Sequence, residues 1–167
     1  KQYYRDYYDR VNKGELMSID SVDFPDSLKY TTPRGKTVYG GGGIMPDVFI
    51  PFDTTGRTYL YSELIYAGVF RQFCFNYADQ HRNKISAYKS APEAVDKFEI
   101  TPKILTEFFV LAKSKGIEKN ESEFASSKNL IKMRLKAEIL NTIWNNDGLY
   151  PVLHQRDKTI SKVLDVL

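Results

Sequence analysis

The side chains that most often do chemistry in proteins are scarce in this sequence. His81 and His154 are the only histidines, and Cys74 is the single cysteine that could join them at a zinc ion. Because zinc sites need three or four protein ligands, this set predicts no metal centre. His81 is expected at the polar C-terminal end of a helix, where a cation suits the helix dipole. Cys74 lies between Phe73 and Phe75 and is expected to be a buried thiol.

Four consecutive glycines, residues 40–43, could present backbone N–H groups to a phosphate. A phosphate loop needs Gly-x-x-x-x-Gly-Lys-Ser/Thr before a helix, or Gly-x-Gly-x-x-Gly after a strand. Here the run leads into Ile44-Met45-Pro46, which opens no helix, and Gly35-Lys36-Thr37 lacks the upstream glycine. We therefore interpret the run as a backbone bend, with Gly41 or Gly42 at positive φ.

Serine and carboxylate side chains are present, but not in a nucleophile context. No Gly-x-Ser-x-Gly turn occurs, so a serine–histidine–aspartate triad is not predicted. Asp47 and Asp53 could form a carboxylate pair, although Asp47 after Pro46 is better explained as a turn residue that binds local N–H groups. The sequence thus predicts no catalytic, cofactor-binding or metal-binding residue in this chain.

The elements around these residues are a small β-element and several helices. Tyr30-Thr31-Thr32 and Thr37-Val38-Tyr39 have strand character and are joined by Pro33-Arg34-Gly35, a turn sequence. Val48-Phe49-Ile50 is expected to be another short strand. Before them, tyrosines recur at helical spacing from Tyr3 to Tyr8, which predicts an amphipathic helix ended by Gly14.

Four further helices are predicted after a loop at 53–56. Thr101 is a good N-cap with Pro102 at the first helical position, Gly116 ends that helix, and Asp157 caps the last one. Gly68 lies inside the first of these helices, where close approach by another backbone would explain why the residue is a glycine. The four predicted helices are 58–82, 102–115, 122–145 and 158 to the end of the chain.

Aromatic side chains are abundant, with 12 tyrosines and 10 phenylalanines. The clusters Tyr3-Tyr4-Tyr7-Tyr8 and Phe73-Phe75-Tyr77 could line a peptide-binding groove, and core packing is the simpler interpretation. A net charge of +3 with interspersed signs gives no reason to expect a nucleic-acid or anionic-lipid partner. The longest apolar stretch, 59–70, is broken by Ser62 and Glu63, so no membrane span is expected.

One segment resembles a known family. Tyr30-x-Thr-x-x-Gly35-Lys36-x-Val38-Tyr39-Gly-Gly-Gly-Gly43-Ile44-x-Pro46-Asp47 is similar to a block downstream of the catalytic core in C-terminal processing (tail-specific) serine peptidases. Gly14-Glu15-Leu16-x-Ser18-x-Asp20-Ser21 fits the bacterial envelope branch of that family. The resemblance implies a periplasmic or cell-envelope enzyme with serine–lysine catalysis, acting on protein or peptide substrates and without a cofactor.

The family's catalytic contexts are Gly-Ser-x-Ala-Ser and Gly-Lys-Gly-x-x-Gln, and neither occurs in this sequence. Ser126-Ser127 has no preceding glycine, and Lys13 and Lys36 have different neighbours. The catalytic residues are therefore expected upstream of this chain. The role expected of the chain itself is structural, substrate-gating or oligomerising, and it is expected to be inactive alone. The alternative is a non-catalytic helical module that binds a peptide or protein.

The predicted fold is mainly α: a bundle-like domain of about five helices with a small β-hairpin near the N-terminus. Residues 1–52 are expected to form the end of the peptidase core, and residues 53–167 a C-terminal helical domain. Homo-oligomerisation is left open.

Overall fold

Helices dominate the computed structural model, which describes residues 2–22, 26–40 and 48–167. The mainly α prediction with a small N-terminal hairpin is confirmed. Within these ranges there are eight α-helices rather than about five. They are α1 (Gln2–Asn12), α2 (Tyr59–Tyr66), α3 (Val69–Gln80), α4 (Arg82–Ile85), α5 (Ala91–Lys97), α6 (Pro102–Ser114), α7 (Glu121–His154) and α8 (Lys158–Val166).

The chain divides into two compact units, Lys1–Asp53 and Thr54–Leu167. The first contains α1, short 3-10 turns at Ile19–Ser21 and Asp26–Leu28, and the hairpin. The second contains the other seven described helices. Assignment of the first unit to the end of a peptidase core stays a prediction.

In the first unit, α1 ends before Gly14, whose φ of 81° favours glycine. Arg10 Nε donates to Glu15 Oε2 over 2.6 Å just beyond the helix. The described tyrosines of α1 are exposed, with Tyr7 at 50 % and Tyr8 at 62 %. Core packing is therefore the wrong interpretation for these two rings.

The hairpin pairs β1 (Lys29–Thr31) with β2 (Thr37–Tyr39) in antiparallel register, Tyr30 lying opposite Val38. The predictions of both strands and of the turn are confirmed. Val48-Phe49-Ile50 is not a strand, because the described sheet consists of β1 and β2 alone and offers it no partner. Residues 41–47, including Gly41, Gly42 and Asp47, lie outside the described residues, so their predicted roles stay predictions.

In the second unit, Gly68 divides the predicted second helix into α2 and α3. It adopts φ 66° and ψ 21°, and its N–H donates to Ile65 O over 2.9 Å. A Cβ built on Gly68 would meet no atom within 4 Å. The predicted close approach is therefore wrong: this glycine is required for its left-handed backbone, which ends one helix and starts the next.

Two helices lie between the predicted ones and were missed. The first, α4, follows α3 directly at Arg82, and the second, α5, begins after Ser90, whose hydroxyl accepts from Glu93 N–H over 3.4 Å. The sequence Ser90-Ala-Pro-Glu93 is the signal that could have found α5, since Ser-x-x-Glu with an early proline is typical of a helix start.

The predicted ends of α6 are confirmed. Thr101 Oγ1 accepts from Ile104 N–H over 3.4 Å, and Pro102 is the first helical residue. At the other end Gly116 has φ 82°, and Ile117 N–H donates to Ala112 O over 3.0 Å. This is a Schellman motif, and Ile117 is buried as its apolar partner.

The longest helix, α7, extends beyond its predicted end at Asn145. The chain does break there, since Asn145 has φ 49° and ψ −140°, but a helical segment resumes and continues to His154. Gly148 permits the bend, because a Cβ on it would lie 2.6 Å from Leu140 O. The predicted break at Asn145-Asn-Asp-Gly148 is thus confirmed, and the helical segment that follows it to His154 was not predicted.

The core of the second unit surrounds α7, against which α2, α3 and α5 pack. Tyr61, Phe70, Phe73 and Phe108 contribute an aromatic cluster with ring centroids 5.0–5.7 Å apart. By contrast α8, capped by Asp157 as predicted, buries none of its residues. The largest fully buried side chains are Phe70, Phe108, Leu60, Leu64, Ile85, Ile131, Leu135, Ile139, Leu140, Val69, Val152 and Cys74.

Candidate functional site

Both histidines occupy helix ends. His81 follows α3, and its Nδ1 lies 2.9 Å from the carbonyl oxygen of Tyr77, against whose ring it stacks at 4.1 Å. His154 is the last residue of α7 and stacks on Tyr150 at 5.5 Å. Among the described residues, no three His, Cys, Asp or Glu side chains are grouped so that they could hold a metal.

Cys74 is buried in α3, as its aromatic neighbours predicted, and is 2 % exposed. Its Sγ lies 3.8 Å from Leu135 O on α7. Burial, reinforced by the negative charge of Glu138, raises the pKa of the thiol well above its ordinary value. A thiol is a poor nucleophile under those conditions, so Cys74 has the properties of a packing residue.

The serine pair in α7 is engaged within its own helix. Ser126 Oγ donates to Ser122 O over 3.2 Å, and the buried Ser127 Oγ donates to Glu123 O over 2.7 Å. Such bonds to the carbonyl four residues earlier are common for helical serines. Neither hydroxyl contacts a described base that could activate it.

The residues that carry the family resemblance shape the hairpin. Thr32 closes its loop twice: its N–H donates to Lys36 O over 2.8 Å, and its Oγ1 accepts from Lys36 N–H over 3.0 Å. Gly35 supplies the positive φ of 80° at the turn. Past β2, Gly40 N–H donates to Leu28 O, and a Cβ on Gly40 would lie 3.3 Å from the Tyr30 ring. These are framework roles rather than catalytic ones.

A cavity of about 820 Å³ lies between α3 and α7. Arg71, Arg134 and Glu138 are its charged lining residues. Arg134 Nε donates to Glu138 Oε1 over 2.7 Å, and its guanidinium lies 5.2 Å from the Phe70 ring centroid. Its NH1 also reaches Tyr61 Oη at 3.5 Å. Because Arg134 already has these partners, its charge is used to join α2, α3 and α7 rather than left for a ligand.

A second cavity, of about 450 Å³, lies beside the stacked Tyr77 and His81 rings. Burial, followed by the charge of Glu107, raises the pKa of the Tyr77 phenol above its ordinary value. Lys103, which also lines this cavity, lies 4.0 Å from Glu107. The cavity therefore mixes both signs of charge and has no clear ligand preference.

The third concave surface differs from the others in having an apolar floor and a basic rim. We call it the lysine-rimmed groove. It has a volume of about 610 Å³ and lies between α6 and the first half of α7. Its floor is formed by Ile100, Pro102, Leu105, Phe109, Val110 and Phe124, and its charged lining by Lys113, Glu118, Lys119, Lys128 and Lys132.

The lysine-rimmed groove is only partly readable from the sequence. Lys128 and Lys132 are one turn apart in α7 and are expected on its outer face. Lys113 and Lys119 come from the end of α6 and the following loop, and only the packed structure brings them to the same groove. Of the described residues, no helix combines the length and apolar character needed to cross a bilayer.

The chain belongs to a family of unknown function (DUF8443), whose model matches residues 60–145, 86 of the 167 residues. The matched region runs from the first turn of α2 to Asn145, the residue at which α7 bends. It contains the lysine-rimmed groove and all of the fully buried side chains named above except Val152. Comparisons with curated proteins and with solved structures gave no match.

Proposed function

We propose that this chain is the C-terminal region of a serine endopeptidase of the tail-specific family, located in the bacterial periplasm or cell envelope. The catalytic serine and lysine would lie in an upstream part of the same protein. There a lysine of depressed pKa would activate the serine for attack on a peptide carbonyl, with backbone N–H groups stabilising the oxyanion. Protein or peptide substrates would meet this region through the parent enzyme.

The observation that carries the proposal is the block from Tyr30 to Asp47. Its described residues support one another as a structural unit, since Thr32 closes the hairpin loop and Tyr30 lies against Gly40. A two-stranded hairpin is marginally stable by itself. In the described structure Tyr30 is 58 % exposed and its cross-strand neighbour Val38 39 %. A short exposed hairpin of this kind suits the edge of a larger domain.

The role of the helical unit in the proposed enzyme is structural: it would gate access to the active site or hold subunits together. These roles differ in what its removal would do. Truncation of the whole enzyme after Asp53 should lower the number of subunits in the native assembly if the unit oligomerises. It should instead change the size of substrate accepted, with the number of subunits unchanged, if the unit gates.

The decisive test is the coding sequence upstream of Lys1. The proposal expects Gly-Ser-x-Ala-Ser followed by Gly-Lys-Gly-x-x-Gln. A start codon and signal peptide immediately before Lys1 would contradict it. The second test is activity: the purified chain should not cleave an unfolded protein. Cleavage that survives mutation of all its serines would refute the proposed mechanism.

A second candidate is a non-catalytic helical module that binds a peptide or protein. It is favoured by one observation, the exposed tyrosine face of α1, where Tyr7 and Tyr8 meet edge-on with centroids 5.9 Å apart. Tyrosine is enriched at protein interfaces because it combines a large apolar ring with a hydroxyl. The same upstream sequence separates the two candidates.

A further inference from the structure

We propose that the lysine-rimmed groove binds an acidic peptide segment with apolar anchor residues, supplied by another protein. The inference goes beyond the proposed peptidase and does not depend on it, because it rests on the helical unit alone. Three properties of the groove carry it: the floor, the rim and the concave shape.

The floor is apolar and open to a partner. Val110 of α6 is 66 % exposed. Phe109 and Phe124 meet edge-on with centroids 5.2 Å apart and line the same surface. Such a floor suits leucine or phenylalanine anchors, as in grooves that bind peptide segments.

The rim is strongly basic. Four lysines and one glutamate line the groove, a local excess of three positive charges (4 − 1). Lys113 lies 3.8 Å from Glu118, and Lys119 lies 2.8 Å from Glu121 outside the lining. Lys128 and Lys132 have no ion-pair partner within the described part of the chain. Two neighbouring ammonium groups beside an apolar floor are complementary to carboxylates that flank an apolar anchor.

Lys119 lies over the aromatic part of the floor. Its Nζ lies 4.2 Å from the Phe124 ring centroid and 5.5 Å from that of Phe109. It therefore covers one end of the aromatic floor while remaining 33 % exposed. An incoming carboxylate beside the rings would be met by this ammonium group.

The concave shape favours a peptide over a lipid surface. The groove is a concave surface of about 610 Å³, the size of cleft that encloses a bound segment, whereas a bilayer presents a flat surface. Anionic lipid is accordingly the competing outcome of the test.

The experiment uses the full chain and fluorescent peptides. One short peptide alternates glutamate with leucine and phenylalanine; a second replaces glutamate by lysine, and a third replaces the apolar residues by serine. Binding is measured by anisotropy at about 50 mM and about 300 mM salt. The first peptide should bind, more weakly at high salt, and the other two should bind at least about tenfold more weakly.

Variants locate the site. Lys128→Glu with Lys132→Glu should weaken binding of the first peptide at least about tenfold, and Val110→Asp should weaken it through the floor. Lys128→Arg with Lys132→Arg should retain binding. The matched control is Lys84→Glu with Lys89→Glu, which makes the same charge change outside the groove and should have little effect. Circular dichroism and thermal unfolding establish that each variant is folded.

Three outcomes would overturn the proposal. The first is binding of the serine-substituted peptide as tightly as the first peptide. The second is an equal loss of binding in the groove variant and in the control, which would mean that binding depends only on the net charge of the protein. The third is binding to phosphatidylserine vesicles without binding to the acidic peptide. None of these outcomes bears on whether the parent protein is a peptidase.

Discussion

The carboxylate of Glu123 accepts a hydrogen bond of 2.5 Å from the backbone N–H of Leu60, 63 positions earlier in the chain. Leu60 lies in the first turn of α2, where N–H groups have no partner within the helix. Glu123 also lies in the first turn of α7, and its own N–H donates to Asn120 Oδ1 over 3.0 Å. One side chain thus joins the N-terminal ends of two helices, both of which favour a negative charge.

Replacing Glu123 should therefore cost stability. We expect Glu123→Ala to lower the free energy of unfolding by about 1–2 kcal/mol, because a part-buried N–H loses a charged acceptor. The control is Glu121→Ala, which removes an exposed pair with Lys119 and should cost at most about 0.5 kcal/mol. Urea unfolding measures both. Equal costs would mean that the bond to Leu60 contributes nothing.

A feature of the fold can be predicted from the sequence when the residues that determine it act on neighbours only a few positions away in the chain. Thr101, Gly116 and Asp157 act on backbone groups within a few residues, so their helix ends follow from the sequence. Gly68 is harder to interpret, because a glycine inside an apolar helical pattern fits either a tight packing contact or a break. The structure shows that Gly68 forms a break, because its φ is 66° and the space around it is open.

The candidate groove is less predictable than the fold. Lys128 and Lys132 can be paired from their spacing, but the sequence does not show that Val110, which is 66 % exposed, lines the same groove. Whether an apolar residue is covered depends on which elements pack beside it. The tyrosine face of α1 is a similar case, since helical spacing shows that Tyr4 and Tyr8 share a face but not what meets it.

The bend in α7 rests on a residue in a strained conformation. Asn145 has φ 49° and ψ −140°, a region that glycine enters freely and other residues enter at a cost. We expect Asn145→Gly to raise the free energy of unfolding by about 0.5–1 kcal/mol, after the extra entropy of an unfolded glycine is subtracted. Asn145→Val should lower it by about 1–2 kcal/mol. Thermal unfolding ranks the stabilities of the wild type and the two variants. A lower midpoint for the glycine variant than for the wild type would show that Asn145 is not strained.

The same bend requires a small residue at Gly148. A Cβ there would lie 2.6 Å from Leu140 O and 2.9 Å from Trp144 Cβ, and backbone must move to relieve the first contact. We expect Gly148→Ala to cost about 1–3 kcal/mol. Gly116→Ala provides the comparison, because a Cβ at that site would meet no atom and the variant would carry only the penalty of the φ of 82°, about 1–2 kcal/mol. A Gly148 variant as stable as the wild type would rule out the close approach.

Cys74 offers a probe of opening in the helical core. Because the thiol is 2 % exposed and its pKa is raised by burial, an aromatic disulfide reagent should leave it unmodified in the folded protein. Labelling should become rapid at the urea concentration at which helical circular dichroism is lost. Fast labelling in the absence of urea would show that α3 separates from α7 before the rest of the unit unfolds.

Lys136 should make stability depend on pH. Burial lowers the pKa of its ammonium group below the usual 10.5, and the positive charge of Lys132 lowers it further. The negative charges of Glu99 and Asp96 act in the opposite direction. In the interval between the folded and unfolded pKa values the unfolded chain binds more protons, so stability rises with pH across that interval. Lys136→Met should remove this rise and stabilise the protein at neutral pH, since the charged form is disfavoured in the folded state.

The measurement is the difference in unfolding free energy between wild type and variant from about pH 7 to about pH 10.5, with Lys128→Met as the control. A constant difference across that range would show that Lys136 is as well solvated as an exposed lysine.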